Sequence, residues 1–300
     1  MSDKQTRRSG YSLVELMVAV VVMALVTSQL LESFSRQHTS SVAQERVVET
    51  QEEVRIVTDL IISDLRMAGF MVPEFAAVAS LDGGVNASDT LCVSDPNTIN
   101  DTVLSSASSR FGGAPLVTAF SGATSSVTVS SADWDIDSDG DDDFVVGEGI
   151  IIATGSRSHC AVVTGLSGST IDFTPATVGG FSATTDDVVV PALVYSVAGT
   201  ALTRNTTVLS NQVEDLQVQF GVDLDSNGTV EGAEFPIDDM TGQNFELLKN
   251  IRVFVTARDL RATENFAGQF PIVANRTTVV AADNFKRRRA TGDALLRNLQ

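Results

Sequence analysis

Histidine, cysteine and tryptophan are scarce in this chain of 300 residues, which holds two, two and one of them. Two scattered histidines, His38 and His159, make neither a zinc site nor a catalytic triad. No glycine-rich phosphate loop is present, and the serine-rich stretches lack the strand–turn–helix setting of a nucleophile elbow. His159 stands beside Cys160 in GSRSHC and reads as a surface histidine rather than as part of thiol chemistry. No catalysis is expected. Positive charge is also sparse: 20 Lys and Arg face 38 Asp and Glu, for a net charge of -18. Residues 1–10 carry +2 of that, which leaves -20 on the remainder. A body so acidic repels nucleic acid and anionic lipid and attracts cations. The run Lys286, Arg287, Arg288, Arg289 is a local exception.

Long hydrophobic runs, by contrast, are represented by one strong case. From Leu13 to Leu31 every residue is apolar except Glu15, Thr27, Ser28 and Gln29. Nineteen residues make about 28 Å of helix, close to the ~30 Å hydrocarbon core of a bilayer. Basic residues and a small residue precede the run, and nothing resembling a cleavage site follows it, so it reads as a retained anchor. The basic end stays cytoplasmic and the bulk of the chain is exported. Glu15 is discordant, since a carboxylate in hydrocarbon costs on the order of 2.5–3.5 kcal/mol. It either snorkels to the interface or meets a cation at its own depth. Cleavage between Gly10 and Tyr11 would supply that cation as a free α-amino group.

The run GYSLVELMVAV resembles the processing site of type IV prepilins and type II secretion pseudopilins. Gly10, Tyr11, Ser12, Leu13, Val14 and Glu15 match the family pattern place for place, with Tyr and Ser where Phe and Thr are usual. The resemblance implies cleavage after Gly10 by a prepilin peptidase and N-methylation of Tyr11. It also implies that Glu15 pairs with the new amino terminus of an adjacent subunit during assembly. Residues 1–10 are then a leader that is removed, and 11–31 the transmembrane half of a long helix. Residues 32–72 are its exported half, and 73–300 a β-rich globular domain.

No Gly or Pro appears beyond Leu31 until Gly69 and Pro73. Val47, Thr50, Val54, Val57, Ile61 and Leu65 fall at spacings of three and four, one apolar stripe on a helix from about 11 to 68. Charged residues, Asp64 among them, fall mostly on other faces. After Pro73 short β-type runs alternate with turn residues: Leu116–Phe120, Ser126–Val129, Phe144–Thr154, Ala161–Thr164, Val188–Val197, Ala201–Arg204, Val213–Val222 and Ile251–Thr256. Ala198-Gly199-Thr200 suits a hairpin, while residues 76–115 read as loop or a small subdomain. The fold class is α+β, a long N-terminal helix packed on an antiparallel, sheet-rich domain.

Asp64-Leu65-Arg66-Met67-Ala68-Gly69-Phe70 at the end of the long helix resembles the PilW-type minor pilins. So do VYSVAGTALTRN, VEDLQVQFGVDLDSNG, NIRVFVTARDLR and a terminal LLRN. Because the N-terminal signal implies export, Cys92 and Cys160 are expected as a disulfide closing a loop of about 68 residues. The chain-entropy stabilisation would be roughly 4 kcal/mol.

Two acidic segments suggest calcium. DLDSNGTVEGAE, residues 223–234, places Asp223, Asp225, Asn227, Thr229, Glu231 and Glu234 at the ligand positions of the twelve-residue calcium loop, with Gly228 at its sharp turn. The bland alternative is a solvated acidic hairpin tip. DIDSDGDDDF repeats the opening with Asp135, Asp137, Asp139, Asp141 and Asp143 but lacks the final ligand, unless Glu148 supplies it. Three functions stay open: a minor pilin that initiates or caps a type IV pilus, a J-type pseudopilin of type II secretion, or a pilus-tip adhesin. Expected partners are other minor pilins and the major pilin through the N-terminal helix, the prepilin peptidase and the inner-membrane assembly platform. The expected location is the inner membrane, single-pass with the C-terminal domain in the periplasm, then the pilus or cell surface after assembly.

Overall fold

The computed structural model describes residues 12–296, apart from 71, 97–112, 131–133, 137–139, 156, 179–180, 186, 239, 241–246, 264–265 and 278–282. Helix α1 spans Leu13–Met67. Its unbroken length follows from composition, because neither glycine nor proline interrupts it. It ends where Gly69 adopts φ +81°, a left-handed conformation that a side chain resists. The chain divides into two compact units, residues 1–49 and 50–300. In the first, α1 exposes its apolar side chains from Leu13 to Phe34. In the second, α1 buries Thr50, Val54, Val57, Thr58, Ile61, Ile62 and Leu65, the stripe that the spacing predicts widened by Thr58 and Ile62; Val47, in the first, is only half-buried.

The second unit also carries the strands. β1 (Val78–Leu81), β2 (Thr90–Ser94), β3 (Ala114–Pro115), β4 (Phe120–Ser121) and β5 (Ser126–Thr128) come first. β6 (Gly149–Thr154), β7 (Arg157–Ser167), β8 (Thr170–Thr174), β9 (Ser182–Ala183) and β10 (Val188–Ala198) follow. β11 (Ala201–Arg204), β12 (Thr207–Ser210), β13 (Val213–Val222), β14 (Leu248–Arg258) and β15 (Arg287–Leu295) complete the set. The larger sheet runs β1-β2-β10-β6-β7-β8-β5, with β3 and the β11–β12 hairpin attached to β10. A second sheet is β13-β14-β15, and β4 pairs with β9. Their pairings are antiparallel, so the architecture is α+β: one long apolar helix and a domain rich in antiparallel sheet.

Among the described residues, three apolar cores explain why some strands read as continuous hydrophobic runs. Val54, Val57, Ile61 and Leu65 of α1 meet Leu216, Phe220, Val253 and Val255 of the second sheet, with Leu193 and Tyr195 of β10. Val189 of β10 belongs to a second core with Phe144, Ile150, Ile171 and Phe173. Val190 and Val194 belong to a third, with Ile151 and the two cysteines. β10 is therefore covered on both faces. Cys92 of β2 and Cys160 of β7 form a disulfide with Cα atoms 5.5 Å apart, as expected from export. β2 and β7 are not neighbours in the sheet, so the bond joins strands across it. Ser158 Oγ also donates to the Val78 carbonyl at 3.4 Å.

Several sequence expectations need correction. Residues 76–115 contain β1, β2 and β3, and Leu91, Cys92 and Val93 are fully buried. Their polar neighbours disguised a strand with three consecutive buried side chains. The strand read as Phe144–Thr154 begins only at Gly149, after a turn at Val146 and Gly147, where Gly147 has φ +93°. β8 was not anticipated, and β7 extends well beyond Ala161–Thr164 at both ends. The basic run near the C-terminus opens β15. His159 is buried rather than on the surface.

Candidate functional site

The acidic loop follows β13, whose last residue precedes Asp223; the Asp223 N–H donates to the Leu247 carbonyl at 2.8 Å. Asp223 Oδ1 accepts the Asn227 N–H at 3.0 Å, and Oδ2 accepts the Gly228 N–H at 2.9 Å. Glu234 reaches back across the loop: Oε1 accepts the N–H groups of Leu224 and Asp225 at 2.8 and 3.1 Å. Its Oε2 accepts the N–H of Glu231 at 3.0 Å. Gly228 stands at φ +85°, the turn the calcium-loop pattern requires of a residue without Cβ. As a result, carboxylate oxygens of Asp223, Asp225 and Glu234 lie within 4.8 Å of one another. Asp223 and Glu234 are buried, and Asp225 is exposed.

Of the six residues expected as ligands, three converge in this way. Asn227 Oδ1 accepts from the Thr229 N–H and hydroxyl at 2.8 and 2.6 Å. Glu231 caps the short 3₁₀ turn Gly232–Glu234. β13 and that 3₁₀ turn flank the loop, in keeping with a calcium-type loop without a helix pair. The three carboxylates from positions one, three and twelve are oxygen donors of the kind hard divalent cations take, in number about half of what calcium uses. In the other acidic segment, Asp137 and Asp139 lie outside the described residues. Asp135 accepts the Gly140 N–H at 2.9 Å, and Asp143 accepts the Ile136 N–H at 2.6 Å. Asp141 is exposed, and Glu148 is half-buried. Among the described residues, no second trio of carboxylates converges.

At the other end of the chain, Gly10 and Tyr11 lie outside the described residues. Glu15 occupies the first turn of α1, where the N–H of Leu16 donates to the Ser12 carbonyl at 3.2 Å. A carboxylate there complements the positive end of the helix dipole. The helix is long and apolar enough to cross a membrane.

Sequence reasoning missed one polar centre. Asp64 accepts hydrogen bonds at Oδ2 from the Tyr195 hydroxyl and from Arg204 Nε, the latter at 2.9 Å. The DLRMAG segment thus meets both halves of VYSVAGTALTR, across the β10–β11 hairpin. Burial, with the Asp64 carboxylate beside it, pushes the Tyr195 phenol above its ordinary range. The signal was present: Asp64 falls beside the buried stripe at 100° per residue, and Tyr195 is one of only two tyrosines. Asp89 is a second hidden carboxylate. Burial, and then the charges of Asp82 and Asp215, raise its pKa to about 7, although the N–H groups of Val218 and Gly83 oppose the shift. His159 is packed against Phe173 and Phe181, and burial lowers its pKa despite a contact of 2.9 Å to the Pro175 carbonyl.

Comparison with known proteins gives two family matches. Residues 180–298 match the model described as Type IV Pilus-assembly protein W. Residues 5–28 match the Prokaryotic N-terminal methylation motif. No curated protein matches the chain. Among solved structures the chain is similar to a type IV-like pilin from Thermus thermophilus, with 11% sequence identity and a TM-score of 0.24. That likeness covers 52% of this chain and 86% of the other. The family matches indicate a structural subunit.

Proposed function

We propose that this chain, a type IV pilin-like protein of the PilW type, acts as a minor pilin in the initiation and assembly of a type IV pilus. The observation that carries the reading is the methylation motif running directly into an apolar helix with a single carboxylate, Glu15, in its first turn. Cleavage after Gly10 by a prepilin peptidase frees the α-amino group of Tyr11, which is then methylated. In an assembly of parallel helices, Glu15 of one subunit neutralises that amine on the next, and the helices set their stagger by this pairing. The subunit waits in the inner membrane as a single-pass protein with its C-terminal domain in the periplasm. It then joins other minor pilins and the major pilin through α1 at the assembly platform. The match to a pilus-assembly family over 180–298 favours this role over that of a secretion pseudopilin or a tip adhesin.

Intact mass of the membrane-extracted protein tests the processing: residues 1–10 should be missing and one methyl group added. A protein that still begins at Met1 would overturn it. Glu15→Ala should abolish incorporation into pili, and normal incorporation would remove the assembly role. Deleting the gene should eliminate pili, whereas normal pilus number with lost attachment would favour adhesion.

The same reading includes calcium as a stabiliser of the exported domain, held by Asp223, Asp225 and Glu234 with Asn227, Thr229 and Glu231 nearby. Extracellular modules of this kind bind with dissociation constants on the order of 0.1–1 mM, so occupancy would follow export. Ion binding to the folded state alone raises the unfolding midpoint by mass action. The midpoint should therefore rise in millimolar calcium over chelator, and Glu234→Gln should cancel the difference. Equal midpoints for the unsubstituted protein would dismiss calcium.

A further inference from the structure

We propose that the outer edge of β15, together with the flank of α1 beside it, docks an extended acidic segment of another protein as a fourth, antiparallel strand.

The two edges of the β13-β14-β15 sheet differ. The β13 edge is covered. The Asp89 N–H donates to the Leu216 carbonyl at 2.8 Å, and the Val218 N–H donates to Asp89 Oδ2 at 2.9 Å. Further along, Phe220 and Ile237 exchange backbone hydrogen bonds of 2.7 and 3.0 Å. Among the described residues no strand covers the outer edge of β15, which is nine residues long. That is about 30 Å of open ladder. Soluble proteins rarely leave such an edge without a guard or a partner.

Charge defines the partner. A Cβ on Gly292 would come within 2.6 Å of Ile62 and 2.9 Å of Thr58. The side of β15 that carries Arg288, Ala290, Gly292 and Ala294 therefore faces α1. At 100° per residue, the surface of α1 next outward from Thr58 and Ile62 carries Arg55 and Arg66. Both are exposed, and Arg55 lies 3.8 Å from Asp59. Arg288 Nε is buried with no hydrogen-bond acceptor among the described residues. Arg287, in contrast, is committed to Glu214 and Asp283. The edge thus offers an unsatisfied guanidinium nitrogen and two exposed arginines, one of them beside Asp59, on a chain of net charge -18. At this edge the local arginines attract an acidic strand, whereas a second copy also brings its full net charge of -18.

Spacing narrows the match. Thr50 donates to Asp259, whose N–H donates to the Lys286 carbonyl, so β15 begins level with Thr50 and runs in the direction of α1. Arg55 and Arg66 are then about 16 Å apart along the helix. Same-face positions four residues apart on a strand span about 13–14 Å. A segment with carboxylates at i and i+4 on the face toward α1 meets Arg55 with Arg288 at one end and Arg66 at the other.

The test uses the full chain in detergent and a nine-residue peptide of valine and threonine with two glutamates four residues apart. A peptide with lysines in place of the glutamates is the control. Saturable binding of the glutamate peptide is expected, at least tenfold weaker at 0.5 M than at 0.05 M salt, with slowed hydrogen exchange of alternate amides in 287–295. Arg55→Glu with Arg66→Glu should abolish binding and leave the thermal midpoint unchanged. Absent binding, equal binding of the lysine peptide, or binding without protection of β15 overturns the proposal. So does sedimentation showing that the unliganded chain pairs with itself through this edge.

Discussion

Replacing Asp64 by alanine should destabilise the domain by about 3 kcal/mol, and the partition of that loss is the informative part. Tyr195 is fully buried, so its hydroxyl would be left without the acceptor it has now. An orphaned buried hydroxyl costs about 1–3 kcal/mol. The ion pair to Arg204 adds less, because that side chain is about a third exposed, and pairs open to solvent are worth up to about 1 kcal/mol. Tyr195→Phe removes one hydrogen bond to a charged group but leaves Asp64 with Arg204, so about 1.5 kcal/mol is expected. Because the double variant contains no orphan hydroxyl, it should cost no more than Asp64→Ala alone, about 2–3 kcal/mol. A double-mutant cycle by urea unfolding, followed through the fluorescence of Trp134, measures all three. Additivity within about 0.3 kcal/mol, or a loss below about 0.5 kcal/mol for Asp64→Ala, would refute the idea that these three residues act as one unit.

Three further outcomes follow from other parts of the molecule. The Asp89 carboxyl, raised to about 7, contributes stability that is whole below about pH 4 and lost as pH climbs through 7. Unfolding free energy should therefore fall by about 2–3 kcal/mol between pH 5 and pH 8.5, and Asp89→Asn should flatten that slope; an unchanged slope in the variant would assign it elsewhere. Gly292→Ala forces a methyl group against Ile62 and Thr58, and calorimetry should register about 1–3 kcal/mol of overpacking. A wild-type midpoint would mean that α1 shifts freely. Replacing Cys92 and Cys160 together with alanine opens a loop of 68 residues and should cost about 4 kcal/mol, with reductant lowering the parent to the same midpoint.

Much of this was legible in the sequence, for identifiable reasons. β13 and β10 read nearly to the residue because each packs apolar side chains into cores that demand them. The stripe on α1 read correctly because a helix with one buried flank repeats every three to four residues. What failed was polar residues held inside by other polar residues. Arg287 looks like part of a solvated basic run, yet it lies almost wholly buried between Glu214, Asp283 and the ring of Phe270. Arg276 is placed likewise, against Asp215 and the same Phe270 ring. Those partners are 60 or more residues away in the chain for Glu214 and Asp215. No local pattern encodes such distances. The acidic loop was readable because its geometry is local: donors, acceptors and the required glycine all lie within twelve residues.

The core beneath α1 joins Val54 to Leu296 and gathers segments that lie far apart in sequence, from α1, β10, β13, β14 and β15. β15 supplies an edge strand of the sheet on which residues 50–67 rest, and among the described elements it is the one farthest from α1 along the chain. While the chain emerges from the ribosome, residues 50–67 therefore precede by most of the chain the strands β13, β14 and β15 that complete their surface. A chain cut short before β15 would lose Ala290, Ala294 and Leu296 from that core and uncover Thr58 and Ile62, so quality control would see a breached core rather than a slightly shortened molecule.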